Sequence, residues 1–243
     1  MTTEKKTALV TGANKGIGYE VARRLAEQGH AVWLGCRDTG RGEAAAGALR
    51  GAGLDVRFIA LDVADGASVA QAAAALAQEM SHLDILVNNT GILAEARTRP
   101  SDASIDAMKA VYEVNVFGPA RVTQAFLPLL RAATAARVVM VSSGLGSLTG
   151  QSDPNGPYYA VNSLAYCTSK TALNAVTLAF AKDLADTGIK VNAACPGHTA
   201  TDLNGHSGPR TVQQAATVII DLATLPAIGP TGGFFNEDGP LPW

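Results

Sequence analysis

An excess of charge of either sign is missing from this chain. Its 243 residues carry 19 Lys and Arg against 21 Asp and Glu, a formal net charge of −2. There is accordingly no electrostatic footprint for nucleic acid or an anionic membrane surface. Also missing is an apolar run long enough to span a bilayer. The N-terminal "MTTEKK" meets only the short apolar run "ALV" before "TGANKG", which does not read as a signal peptide. Cysteine is scarce. Cys36, Cys167 and Cys195 are far apart and odd in number, which excludes full internal pairing and reads as reduced thiols in a cytoplasmic protein. His30, His82, His198 and His206 form no His-Glu-x-x-His, so no metal site is expected. What remains is 47% hydrophobic and 16% charged, the balance of a compact globular chain with enough length for a real core.

Short β-rich runs alternate with longer helical ones. Strands are expected at 7–10, 31–36, within 55–63, and at 83–89, 136–143, 189–195 and 232–236. Helices are expected up to about Gln28, over 39–53 and 66–80, over 101–132 in one or two pieces, over 164–185 and near 211–224. The strands are nearly continuous apolar runs, as when helices cover both faces of a sheet. Strict alternation of strand and helix points to right-handed crossovers and a parallel sheet. The prediction is a single doubly wound, Rossmann-like α/β domain over 1–243, with a mainly parallel seven-stranded sheet and helices on both faces. Two stretches break the rhythm, "GLGSLTGQSDPNGPYYAVN" (144–162) and "HTATDLNGHSGPR" (198–210). Loops this long are often functional, although the first could equally be a surface excursion.

"LVTGANKGIG" places Gly12, Gly16 and Gly18 where the first strand turns into the first helix. Glycine there lets the backbone turn sharply and approach a ligand. The helix N-terminus beyond it offers free N–H groups and partial positive charge, which suit a pyrophosphate. The second strand ends "GCRD". Cys36 stands where an acid selecting NAD would be expected, with Arg37 beside it and Lys15 in the glycine loop. Two cations favour the extra phosphate of NADP, whereas Asp38 could take the ribose hydroxyls of NAD instead. Lys15 and Arg37 could also be two solvated loop charges.

In "LAYCTSKTALNAV" Tyr166 and Lys170 stand four apart, hence on one helical face. Either the lysine rests its stem over an apolar ring, or its charge changes what the phenol can do. Spacing alone does not decide, because Tyr19 and Arg23 share it and read as a structural contact.

The motifs "TGANKGIG", "NNTG", Asn115 in "YEVNVFG", "VVMVSS", Tyr166-x-x-x-Lys170 and "PGHTATD" occur in the order found in short-chain dehydrogenases/reductases, which the chain resembles over essentially its whole length. The long interval from Ser143 to Tyr166, Lys15 with Arg37, and the tail "GGFF" also look like the carbonyl reductase branch, commonly NADPH-dependent. The resemblance implies that Tyr166 gives a proton to a carbonyl oxygen. Ser143, in preference to Ser142, hydrogen-bonds that oxygen. Lys170 holds the nicotinamide ribose and lowers the tyrosine pKa, and Asn115 supports a proton relay through water. It implies a cofactor, NADP(H) in preference to NAD(H), held by Gly12, Asn14, Lys15, Gly16, Ile17, Gly18 and Arg37. Asp62 and Val63 would lie at the adenine, Asn88 and Asn89 on the adenosine side, with Pro196, Gly197 and Thr201 toward the nicotinamide. Asn115 could instead cap or kink its helix, and either serine could satisfy a turn.

The chemistry explains the spacing. Carbonyl reduction needs a hydride at carbon and a proton at oxygen. A free phenol titrates near ~10. A cation ~4 Å away at an effective dielectric of ~20 is worth about 4 kcal/mol, enough to move the phenol toward neutrality. The expected partner is a small carbonyl or alcohol substrate, neutral and hydrophobic, since neither long loop carries a cation cluster. Tyr158, Tyr159 and Trp243 could line its pocket or anchor loop and tail. Thr90 stands where the family usually has alanine. The long loop could obstruct the surface used by tetrameric relatives, so a monomer is as admissible as a homo-oligomer.

Overall fold

The computed structural model describes residues 5–95 and 98–243, so the first four residues of the N-terminal segment lie outside it. Strands β1 (Thr7–Thr11), β2 (Ala31–Cys36) and β3 (Val56–Ala60) alternate with helices α1 (Gly16–Glu27), α2 (Thr39–Gly51) and α3 (Gly66–Glu79). After β4 (Ile85–Asn88) come α4 (Ile105–Tyr112) and α5 (Gly118–Ala132), then β5 (Arg137–Val141), the short α6 (Leu148–Ser152) and the long α7 (Leu164–Asp183). The chain finishes with β6 (Lys190–Ala194), α8 (Val212–Ala223), β7 (Phe234–Asn236) and β8 (Gly239–Pro240).

One sheet runs in the order β3-β2-β1-β4-β5-β6-β7-β8. The seven parallel strands expected from the sequence are present, and the two-residue β8 adds an antiparallel edge to β7. Strand order reverses at β1, which pairs with β2 on one side and β4 on the other. A crevice opens at such a point, beyond the carboxyl ends of the strands.

Side-chain alternation sends Ala8 and Val10 to one face and Leu9 to the other. Val10, Leu34 and Val87 pack with Val21 and Leu25 of α1, Ala46 of α2 and Ile219 of α8. On the opposite face Leu9, Leu86 and Met140 pack with Leu76 of α3, Phe126 of α5 and Leu173 of α7. Two full apolar layers explain why the strand sequences lack polar alternation. Arg137, fully buried at the start of β5, donates to the carbonyls of Ala135, Ala136 and Leu225, tying the sheet to the chain after α8.

Two local departures matter for the site. The 101–132 segment does split, and the pieces are joined by a π-helical turn, Glu113–Phe117, that contains Asn115. The 144–162 segment, expected as a loop, holds a 3₁₀ turn at Gly144–Gly146 and then α6. The serine side chains of 143 and 147 accept from the backbone N–H of Leu145 and Gly150 and nucleate these two turns.

Phe126 is wholly buried between α5 and the sheet. Phe126→Ala should lower the unfolding free energy by about 3–5 kcal/mol, measured from urea denaturation midpoints.

Candidate active site

The crevice between β1 and β4 is tied from both sides. Thr11 Oγ1 accepts from the backbone N–H of Asn89 (3.0 Å) and Thr90 (3.1 Å). Asn89 Nδ2 donates to the carbonyls of Thr11 (2.9 Å) and Gly12 (3.2 Å). Gly18 packs into this knot; a Cβ there would stand 2.4 Å from Asn89 Nδ2 and 2.6 Å from the Gly12 carbonyl. Gly12 and Gly16 adopt φ of +63° and +60°, the left-handed region that glycine occupies without strain. α1 starts at Gly16 with no side-chain cap, so its first N–H groups face the crevice unclaimed by a cap.

The crevice is a groove of about 760 Å³. Gly12, Asn14, Lys15, Gly16, Ile17 and Gly18 line its floor. Arg37, Asp62 and Val63 line one end, Tyr166 and Lys170 the other, and Asn89 and Thr201 line the stretch between. The cradle left by the glycines, the uncapped helix end and the cations beside it fit a phosphorylated dinucleotide.

Other expectations need correction. Asn88 does not face the groove. Its amide is buried and donates to Thr123 Oγ1 (3.1 Å) and Met140 Sδ (3.3 Å), because strand alternation turns it toward the α5 layer. The Pro196 carbonyl accepts from Thr199 Oγ1, and Gly197, at φ +75°, lies against Arg210, so both build the turn that opens the 198–210 loop. Lys15 lines the groove together with Arg37 and Arg41, and its ammonium pairs with Asp202 of the 198–210 loop.

At the end of β2 the arrangement favours cations. Asp38 accepts at Oδ1 from the Arg41 backbone N–H (2.9 Å) and caps α2, while Oδ2 pairs with Arg41 Nε (3.0 Å). These contacts, the backbone hydrogen bond first, hold its carboxyl below the usual range. Arg41 itself lines the groove. Sequence reasoning missed it, although its place three residues after a potential Asp cap was a usable signal. It also missed Ile92, Leu93, Val114, Leu203 and His206 in the lining, which follow no motif.

At the other end, Tyr166 and Lys170 share a face of α7, with Lys170 Nζ 5.7 Å from the phenol ring centroid. Lys170 is buried and donates to the Val141 carbonyl (2.8 Å); burial brings its pKa down to about 8. Burial pushes the Tyr166 phenol up to about 12, and the Ser143 hydroxyl, hydrogen-bonded to it, pulls the other way. The lysine does not draw the phenol toward neutrality in the ligand-free protein. Desolvation penalises phenolate and ammonium alike and is the largest cause of both shifts.

The two serines have separate roles. Ser142 is buried and donates to Asn174 Oδ1 (2.6 Å), a packing role. Ser143 is the one beside the phenol. Asn115 is fully buried. Its amide donates to the Ile92 carbonyl (3.0 Å) and Ser169 Oγ (3.1 Å), and its Oδ1 accepts from the Ile92 N–H (2.8 Å). It therefore binds the strand-end loop after β4 to α7, and Gly91 in that loop lies beside both Asn115 and Lys170 Nζ. The Tyr158 hydroxyl packs against Gly144, where a Cβ would stand 2.3 Å away. Trp243 stacks on Phe234 (centroids 5.6 Å apart), and its carbonyl accepts from Thr149 N, so it anchors the tail. Among the described residues no cluster of His, Cys, Asp and Glu could hold a metal ion, and no helix is long and apolar enough to cross a membrane.

Comparison with known proteins places this geometry. A family model described as short chain dehydrogenase matches residues 6–211. (−)-Isopiperitenone reductase of Mentha piperita is 33% identical, over 99% of this chain and 99% of its own length. (+)-Neomenthol dehydrogenase of Arabidopsis thaliana is 33% identical, over 95% of each. Among solved structures, NADPH-bound carbonyl reductase from chicken fatty liver superposes with a TM-score of 0.87 at 28% identity, covering 99% of this chain and 100% of its own.

The Lys170 shift has a pH signature. Its folded pKa, about 8, lies below the ordinary lysine value of 10.5, so the unfolded chain binds the proton more tightly. Stability from this group is therefore fully present above the unfolded value and is lost as pH falls through about 8. Between pH 7.5 and 9.5 the parent should gain about 2 kcal/mol over Lys170→Met, read from urea midpoints of both proteins at each pH, where the other titrating groups cancel.

Proposed function

The chain belongs to the short-chain dehydrogenase/reductase family and is an oxidoreductase of that family, and on that premise we propose that it reduces the carbonyl of a hydrophobic ketone or aldehyde with NADPH, Tyr166 giving the proton. The observation that carries the reading is one groove with two dissimilar ends: Arg37 and Arg41 at one, and a desolvated Tyr166–Lys170 pair beside Ser143 at the other.

At the first end the two guanidinium groups suit the extra phosphate of NADP. Asp38, the acid that would take the ribose hydroxyls of NAD, is already engaged by Arg41. The N-terminus of α1 suits the pyrophosphate. The chicken-liver relative was solved with NADPH bound, which supports the same preference here. The bound dinucleotide supplies the hydride; the protein supplies position, field and proton.

At the second end the upward shift of the phenol suits a donor. At neutral pH Tyr166 holds its proton, and an alkoxide, more basic than a phenolate, takes it as negative charge develops on the substrate oxygen. Ser143 is a preorganised donor to the same oxygen. Lys170, fixed on the Val141 carbonyl, keeps a cation on the phenol's side of the helix as the phenolate forms. Asn115 holds Gly91 and Ile92 in place next to that lysine. The same residues run in reverse would oxidise an alcohol, and one relative is named a dehydrogenase. The upward shift of the phenol favours that direction at alkaline pH. The three cysteines are free, buried thiols, which suits the reducing cytoplasm.

Nucleotide consumption should therefore be followed against a panel of neutral ketones and aldehydes with NADPH and with NADH. Tyr166→Phe is expected to lower kcat by roughly 10²–10⁴-fold while leaving the NADPH Kd within a few fold. Turnover equal to the parent would remove Tyr166 as the acid. Arg41→Ala should weaken NADPH roughly ten-fold or more in an equilibrium fluorescence titration and leave NADH nearly unchanged.

A further inference from the structure

The loop after β3 is tied to α5 by one arginine. Asp62 and Val63 of this loop line the groove at the Arg37 end. On the dinucleotide reading the nicotinamide lies beside Tyr166, which leaves this end for the purine base. The loop is short and irregular, and side chains hold it. The Asp62 N–H donates to Ser68 Oγ (3.0 Å), and the Asp65 N–H to the Asp62 carbonyl (3.1 Å). The peptide between Val63 and Ala64 is gripped at both ends. Its N–H donates to Asp62 Oδ1 (3.0 Å), and its carbonyl accepts from Arg121 Nη1 (2.6 Å). Arg121 Nη2 meets Glu113 Oε1 (2.6 Å) on the π-helical turn. The Val63 side chain is buried in the core layer with Val122 and Phe126 of α5.

We propose that Arg121 is a positioning residue for the base of the nucleotide, acting through the Val63–Ala64 peptide on the Asp62 carboxylate. The proposal rests on the dinucleotide reading above and deepens it. A guanidinium on a carbonyl polarises the peptide and strengthens the donation from the N–H at its far end. That N–H fixes Oδ1 of Asp62 and leaves Oδ2 without a hydrogen-bond partner among the described residues. A carboxylate oxygen held in this way at the groove suits an exocyclic amine, which adenine carries and hypoxanthine lacks. Arg121 and Glu113 are both partly exposed, so their pair adds little to stability. Its effect is on direction, since Glu113 keeps the guanidinium turned so that its other nitrogen meets the loop. The π-helical turn that offers Glu113 to this end of the groove offers Asn115 to the other. One irregular turn thus braces the wall for the base and the loop beside Lys170.

The test is equilibrium fluorescence titration with NADPH and with its deamino analogue, in which hypoxanthine replaces adenine. The parent should bind NADPH roughly ten-fold more tightly than the analogue, the effect of one hydrogen bond to a charged group. Arg121→Met should lose most of that preference by weakening NADPH and leaving the analogue nearly unchanged. Its kcat at saturating NADPH should stay within roughly twofold of the parent, because the proton-donating end is untouched. Asp62→Ala should abolish the preference, and adding Arg121→Met to it should change the preference no further. Equal weakening of both nucleotides by Arg121→Met would make the arginine a general support of the fold and overturn the proposal. So would an undiminished preference in that variant, or a parent indifferent to the base. Failure of the parent to bind either dinucleotide would defeat the dinucleotide reading itself, a result distinct from any of these.

Discussion

Where β1 and β4 end side by side, three groups leave one another no spare room. The Asn89 amide bridges the carbonyls of Thr11 and Gly12, Thr11 Oγ1 receives two N–H groups from the other strand, and Gly18 fills the gap with hydrogen alone. This knot fixes the start of α1 relative to the loop after β4. The helix N-terminus, the glycine cradle and Thr90 are all placed by it. A register slip by one residue would turn Val10 and Val87 out of one core layer and Leu9 and Leu86 out of the other, so the two apolar faces of the sheet lock the knot in turn.

The second half of the site is held by burial more than by attraction. Lys170 is an ammonium with a carbonyl partner and a phenol ring near it, and removal from water lowers its pKa to about 8, worth about 3 kcal/mol against the charged form. Such a residue persists only because the surrounding elements over-determine it. β5 supplies the Val141 carbonyl, Gly146 packs against the Lys170 backbone, and the π-helical turn brings Asn115 against Ser169. The last contact gives the irregular turn a purpose. The extra residue in the helix points an amide at the Ile92 backbone and at α7 together.

Much of this was legible in the sequence, for identifiable reasons. Strand and helix order follows from apolar runs and turn residues, and Tyr166 with Lys170 follows from helical spacing. The glycine loop was legible because glycine is required there by φ and by space. What failed did so where a side chain's direction or partner decides. Asn88 and Asn89 are adjacent, yet pleating sends one into the core and one to the groove, and an "NN" pair does not say which. The Asp202 partner of Lys15 lies 187 residues away in the chain, and no local pattern announces it. The direction of the phenol's shift was misjudged because spacing reports a neighbouring charge and says nothing of desolvation, which dominates here. Local hydroxyl caps at Ser143 and Ser147 made a helix out of a segment whose composition reads as loop.

The two ends of the groove obey different electrostatics, and the division of labour follows. Lys15, Asp38, Arg41 and Asp202 are all largely exposed, so water and salt weaken each pair. Charges of that kind can release a partner for a phosphate at little cost, as a site that must load and unload a nucleotide requires. Around Tyr166 and Lys170 the same charges would be too expensive to rearrange, and the groups stay where the fold puts them. A proton can then be handed over without moving side chains, because the field is already set by burial. Exposed, exchangeable cations at one end and desolvated, fixed groups at the other make selection of the nucleotide and transfer of the proton separable. A substitution that alters one need not disturb the other.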